Sequence, residues 1–214
     1  MLAQRILVLS PHTDDVELAA GGFIHRLTSE QKLVRVDHFS DTANINGIEH
    51  GRKLRAEALA GAKTLGISEM NVFFGDFLTR NFMSQRQEIL DFIIHLKSDF
   101  QPDLVLCPGL GDQHQDHGVI CDETIRAFKT QTILGFDSYW NQRRQDTTAV
   151  VELRKPNIKA KLKALSAYES QKENPYMNPK VISGQARMRG VSRGFEFAEA
   201  FHVLQLTLNE GDIF

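Results

Sequence analysis

The chain has 214 residues, 42% hydrophobic and 24% charged, which is an ordinary globular composition with length enough for a substantial core. Its 25 basic and 27 acidic residues sum to −2, so net charge implies no polyanion-binding surface and no nucleic-acid partner is expected. No apolar run approaches a membrane span, no signal-peptide pattern follows Met1, and Cys107 and Cys121 fit no zinc-knuckle or CxxC spacing, so a soluble cytoplasmic protein is expected.

The first element is the apolar run Ile6–Leu9, read as a buried strand. It ends at Ser10-Pro11-His12-Thr13-Asp14-Asp15, a loop with three residues able to hold a metal or a proton within four positions. The Asp pair admits two readings, a cap on the next helix or a metal or catalytic site, and a cap explains only one of the two carboxylates. From Val16 to about Ser29 the apolar spacing is helical, with Gly21-Gly22 allowing close approach to another backbone. Leu33–Phe39 reads as a second strand, in which His38 is expected to be structural. A polar loop, 40–47, leads to a helix from about Glu49 to Leu65 stopped by Gly66, and Val72–Phe74 is a third strand.

Ser84 and Gln87 have the spacing of a capping box opening an amphipathic helix through Leu96. Leu104–Cys107 is a fourth strand closed by Pro108-Gly109, a polar loop runs to His117, and a helix follows from Val119. Later strands are expected at Thr132–Phe136, Thr148–Leu153 and His202–Leu206, a helix at Lys159–Tyr168, and irregular chain over Asn174–Arg193. Strand–helix alternation over the first 130 residues predicts a Rossmann-like, three-layer α/β fold with a mainly parallel sheet, as one domain over 1–214.

The loop after the fourth strand, Gly111-Asp112-Gln113-His114-Gln115-Asp116-His117, belongs on the same sheet edge as His12 if the strands are parallel. By itself it is as easily a polar loop where two of eight histidines coincide. Together the two segments offer an imidazole and a carboxylate, from His12 and Asp15, and a third ligand from the later segment. Two His and one carboxylate around an open position is a catalytic zinc arrangement, whereas structural sites close with four ligands. Such a metal acidifies water and polarises a carbonyl. Asp14 is then free to take the water proton and His114 to stabilise an oxyanion.

At these residues the chain resembles the LmbE-like, or PIG-L, family of zinc deacetylases. The family's PHxDD motif followed by paired glycines is matched by Pro11–Asp15 and Gly21-Gly22, and its HxDH motif by His114–His117, preceded by Asp112. Looser similarity extends to Glu57–Gly66, Lys163–Gln171 and Ala198-Glu199-Ala200-Phe201. The resemblance implies a Rossmann-like sheet, with zinc (or Fe2+ in the same site) on His12, Asp15 and His117. It implies Asp14 as general base, His114 as oxyanion stabiliser in either charge state, and Asp116 orienting an imidazole. The implied activity is removal of the N-acyl group from amino sugars, as in N-acetylglucosaminyl-phosphatidylinositol, glucosamine precursors of low-molecular-weight thiols and other glycosides. Where some members place a general-acid tyrosine, this chain has Asp112, so the leaving amine must be protonated by His114 or Asp14. A substrate-binding arginine is expected on the second helix, as Arg52 or Arg55.

Tyr139-Trp140 reads first as a loop anchor and second as a stacking surface for a sugar or base. Arg187, Arg189 and Arg193 read as a solvated charge run; folded over the site they would favour a sugar nucleotide. His25, His50 and His95 are expected at the surface without partners, and His202 in the core. The expected activity is metal-assisted hydrolysis of an N-acyl, most simply N-acetyl, amino sugar, glycoside or sugar nucleotide. The alternatives are a sugar-binding or regulatory protein of the same fold and a hydrolase of esters or N-formyl groups. The sequence leaves a homo-oligomer open.

Overall fold

The computed structural model describes residues 3–142 and 147–208. Strand β1 (Arg5–Ser10) alternates its side chains between two cores. Ile6 and Val8 pack under helices α1 (Asp15–Ser29), α3 (Ile48–Thr64) and α6 (Lys155–Leu165). Leu7 and Leu9 pack under α4 (Arg86–Phe100) and α5 (Gln115–Ala127). All four are fully buried, which is why this strand is a continuous apolar run rather than an alternating one.

β2 (Leu33–His38), β3 (Val72–Phe74), β4 (Leu104–Pro108) and β5 (Thr132–Phe136) run parallel with β1. β6 (Ala149–Leu153) and β7 (Phe197–Gln205) add an antiparallel edge. The sheet order is β3-β2-β1-β4-β5-β7-β6, so the expected three-layer, mainly parallel α/β fold is present. Chain order reverses between β1 and β4, and the crevice beyond the carboxyl ends of those two strands is where such sheets bind ligands.

Several local expectations are corrected. Helix α4 starts at Arg86 without a side-chain cap; Ser84 Oγ donates to Asn81 O and Gln87 Nε2 to Asp91, so the Ser84/Gln87 capping box does not form. The 40–47 loop holds a short helix, α2 (Ala43–Asn46). The stretch expected to be irregular contains a 3-10 turn, Pro175–Met177, and a helix, α7 (Pro179–Val191). Asn178 caps α7 by accepting from Lys180 N at 2.9 Å, with Pro179 in the first turn, a start signal the sequence displays. His25 is half-buried and shares a 3.1 Å hydrogen bond with Asn157, so it is not a free surface residue.

The glycine pair of α1 admits side chains, not backbone. A Cβ on Gly22 would lie 2.5 Å from Leu153 Cδ1, and one on Gly21 would lie 3.2 Å from Lys161 Cγ. Glu199, from β7, reaches into the same notch and accepts from Gly22 N (2.9 Å) and Phe23 N (2.7 Å). Its Oε1 also pairs with Lys161 Nζ at 2.6 Å, both side chains being buried.

Candidate functional site

The Pro11–Thr13 turn leaves β1, and Asp14 takes the N-cap position of α1 without making a side-chain capping bond. The cap reading of the Asp pair therefore fails for the residue that occupies the cap. Asp15, the first helical residue, folds its carboxylate back and accepts from His12 N at 2.9 Å through Oδ2. Across the crevice, His114 caps α5, its Nδ1 accepting from Asp116 N at 3.3 Å. Helix α5 starts at Gln115, two residues before His117, so the polar loop ends earlier than expected and His114 and His117 share a helix terminus.

The two segments meet. Asp15 Oδ2 lies 3.3 Å from His12 Nδ1 and 3.2 Å from His117 Nε2. Each imidazole meets a second carboxylate through its other nitrogen, His12 Nε2 with Asp116 at 3.1 Å and His117 Nδ1 with Asp112 at 2.7 Å. Outer carboxylates of this kind fix ring orientation and tautomer in metal-binding histidines. Asp112, expected where some relatives would have a tyrosine, is thus engaged with His117.

Two donor sets can hold a metal here. His12, His114 and His117 offer nitrogens within 4.8 Å of one another. His12, Asp15 and His117 offer atoms 3.2–3.3 Å apart along two of the three edges. A tetrahedral ion with ligands at about 2.0–2.1 Å needs edges of about 3.4 Å, which the two edges from Asp15 approach.

Electrostatics agree with a cation between these groups. Burial opposes the charged form of His117, yet Asp15 and Asp112 outweigh burial and push its pKa up to about 10. His12 is raised by Asp116 and Asp15 against the effect of burial, and Asp15 is held well below the usual carboxylate range by His117 and His12. Burial and the charge of Asp15 lift Asp14 to about 7. Burial, with His12 and His117 nearby, depresses His114 to about 4. His114 is therefore neutral near pH 7, and with Nδ1 accepting, its proton sits on Nε2. Of the two charge states left open for this residue, its surroundings favour the neutral one.

These groups open onto a cavity of about 340 Å³, also lined by Thr42, Thr79, Arg80, Trp140, Gln171 and Tyr176. Trp140 stacks on Tyr176 with ring centroids 5.3 Å apart, and Tyr139 donates to Tyr176 O at 2.5 Å. Tyr139 is the anchor and Trp140 part of the wall, so the dipeptide divides the two readings. His38 supports the site from below, Nδ1 bonded to His12 O at 3.2 Å, its pKa lowered to about 4 by burial.

The arginines expected to bind substrate do not line this cavity. Arg52 pairs with Glu49 at 2.6 Å on the exposed face of α3. Arg55 pairs with Asp41 and Asp76 at 2.5 and 2.6 Å. Arg189 is tied to Asp137, and Arg187 pairs with Glu196 while covering Phe197. The basic residues Arg143 and Arg144 beyond Trp140 lie outside the described residues. Arg80, which no sequence feature singled out, lines the cavity from a loop without periodicity.

A switch-point crevice holding two histidines bracketed by carboxylates, open to a cavity, defines an α/β protein with a centre able to hold a metal. The chain belongs to the PIG-L family, whose model, described as GlcNAc-PI de-N-acetylase, matches residues 7–129. It is accordingly an N-deacetylase, an amidohydrolase acting on C–N bonds other than peptide bonds. Among solved structures, the chain is similar to N,N'-diacetylchitobiose deacetylase from Pyrococcus horikoshii (TM-score 0.75, 17% identity, 96% of this chain and 87% of that one). It is also similar to a zinc-inhibited form of teicoplanin deacetylase (0.76, 17%, 92% and 96%). The 4-carboxy-2-hydroxymuconate hydratase GalB from Pseudomonas putida KT2440 shares the fold as well (0.75, 18%, 97% and 99%). Among the described residues no helix is long and apolar enough to cross a membrane.

Proposed function

We propose that the protein removes the N-acyl group, in the first instance N-acetyl, from an amino sugar, glycoside or sugar nucleotide, with zinc or Fe2+ held by His12, Asp15 and His117. The observation that carries this reading is the convergence of those three donor atoms beside a carboxylate, Asp14, that is spent on no cap. A divalent ion bound there supplies a Lewis acid that polarises the amide carbonyl and acidifies a water.

The chain's own residues do the rest. Asp14, with a pKa near 7, takes the proton of the attacking water as the new C–O bond forms. His114 donates its Nε2 hydrogen to the carbonyl oxygen as negative charge builds there. The C–N bond then breaks, and protonated Asp14 returns its proton to the departing amine. Asp14 suits this return better than His114, whose pKa near 4 leaves it no second proton to give. Acetate and the free amine leave.

Release of primary amine from matched N-formyl, N-acetyl and longer N-acyl glucosamine glycosides, alongside metal analysis, tests the reading. Amine release that depends on bound metal is expected. Metal binding without turnover of any amide would overturn it in favour of a binding protein, and turnover of esters alone would move the bond.

A further inference from the structure

The cavity is ringed by carboxylates, with Asp14 and Asp15 on its wall and Asp112 and Asp116 behind the histidines. Among the described residues lining it, one side chain is Lys or Arg: Arg80. Its neighbours in charge are spent elsewhere. Arg52 and Arg55 are engaged as above, Arg86 pairs with Glu123 and Asp122, and Arg189 with Asp137. Arg80 forms no ion pair with any described carboxylate, and the residue is exposed and lines the cavity.

Its backbone is held with unusual care. Arg80 adopts φ +66°, a left-handed conformation that costs a non-glycine residue free energy and persists where surrounding bonds over-determine it. Its N–H donates to Asp116 Oδ2 at 2.7 Å, the same oxygen that meets His12 Nε2, and its carbonyl accepts from Gln115 Nε2. The preceding Thr79 is fixed by a reciprocal pair with Asn44, 3.1 Å in each direction, and by Ser40 Oγ at 2.7 Å. A solvated surface arginine needs none of this. The fixings tie the backbone from which the Arg80 side chain springs to the position of His12.

We propose that Arg80 binds an anionic group, a phosphate or a carboxylate, on the amino sugar that this site deacylates; the inference rests on the N-deacetylase reading above. An anion would be repelled by the carboxylates of the centre, and one guanidinium on a fixed stretch of backbone at the rim offsets that repulsion and orients the sugar. The substrate class is thereby narrowed to sugar phosphates, sugar nucleotides or uronic acids carrying an N-acyl group.

The test measures kcat/KM for N-acetylglucosamine 1-phosphate, N-acetylglucosaminuronic acid and neutral methyl N-acetylglucosaminide in wild type, Arg80→Gln and Arg80→Lys. Wild type is expected to favour an anionic substrate over the neutral one by roughly 10- to 100-fold, the range a charged hydrogen-bonded pair supplies. That ratio should fall to about one in Arg80→Gln and stay intermediate in Arg80→Lys, which keeps the charge but not the fork. Preference for the phosphate or for the uronic acid names the source of the anion. A ratio kept in Arg80→Gln, or a wild type that favours the neutral glycoside, overturns the inference while leaving N-deacetylation intact. Titration calorimetry with glucosamine 1-phosphate separates the two ideas. Binding lost in Arg80→Gln without turnover of any amide sinks the deacetylase reading and sustains the anion site. Neither turnover nor Arg80-dependent binding sinks both.

Discussion

Asp14 and Asp15 are neighbours with the same side chain and opposite electrostatics. Asp15 is anchored among His12 N, His12 Nδ1 and His117 Nε2, which hold it ionised. Asp14 gains no such partner, so burial and the charge beside it raise its pKa to about 7. A base must be deprotonated to act, so kcat/KM should climb through an acidic limb near pH 7 and level off above it. Asp14→Asn should cost roughly 10²- to 10⁴-fold in kcat, the usual worth of a general base, while metal content stays that of wild type. Activity at wild-type level in that variant would rule out the base assignment. Asp112 acts through another residue, since its carboxylate sets His117 by Nδ1. Asp112→Asn should weaken metal affinity by about 10- to 100-fold in competition with a chromophoric chelator. Unchanged affinity would show that the contact orients nothing of consequence. His12 and the Asp pair were legible because a polar cluster ends an apolar strand. The sequence reading also gave the two acids different tasks, but the contact that sets them apart, His117 meeting Asp15 from 102 positions away, has no local signal.

At the scale of elements, a buried network fastens the middle of α1 to α6 and β7. Glu199 on β7 ties Gly22 and Phe23 of α1 to Lys161 of α6 in a buried network. Removing one member of a buried pair leaves the other charge uncompensated, at a cost of about 3–5 kcal/mol. Glu199→Gln should therefore lower the free energy of unfolding by an amount in that range, read from urea melts. A paired Lys161→Met/Glu199→Leu replacement should recover part of it. Equal loss in the single and paired variants would mean that the backbone bonds of Gly22 and Phe23 carry the stability. The same network explains the Ala-Glu-Ala-Phe signature near the end of the chain as packing rather than chemistry. Elements with strong periodicity, such as β1 and α1, match the sequence reading within a residue or two. The start of α4 does not, because a capping-box spacing carries no guarantee that the preceding turn presents its hydroxyl to the helix.

For the whole molecule, the reversal of strand order between the parallel neighbours β1 and β4 matters most, since it brings residues 12–15 and 112–117 to one crevice. The proposed metal, held between those two segments, would bind the folded chain in preference to the unfolded one and so would stabilise the fold. At a hundredfold excess over the dissociation constant the gain is about 2.7 kcal/mol, or roughly 5–10 °C in Tm for a domain of this size. Adding a chelator should lower Tm by that order in wild type and leave His117→Ala unmoved; equal shifts in both proteins would place the metal elsewhere. By itself the sequence determined the strand–helix alternation, the parallel sheet and the two polar clusters. These are local properties, written in hydrophobic period and in the residues that end each strand. Only the tertiary structure decided that Asp112 serves His117 and Asp116 serves His12, that Arg52 and Arg55 are spent in ion pairs, and that Arg80 faces the cavity. Those outcomes depend on distances between segments remote in sequence, and side-chain pairing across a crevice leaves no periodic trace in the chain.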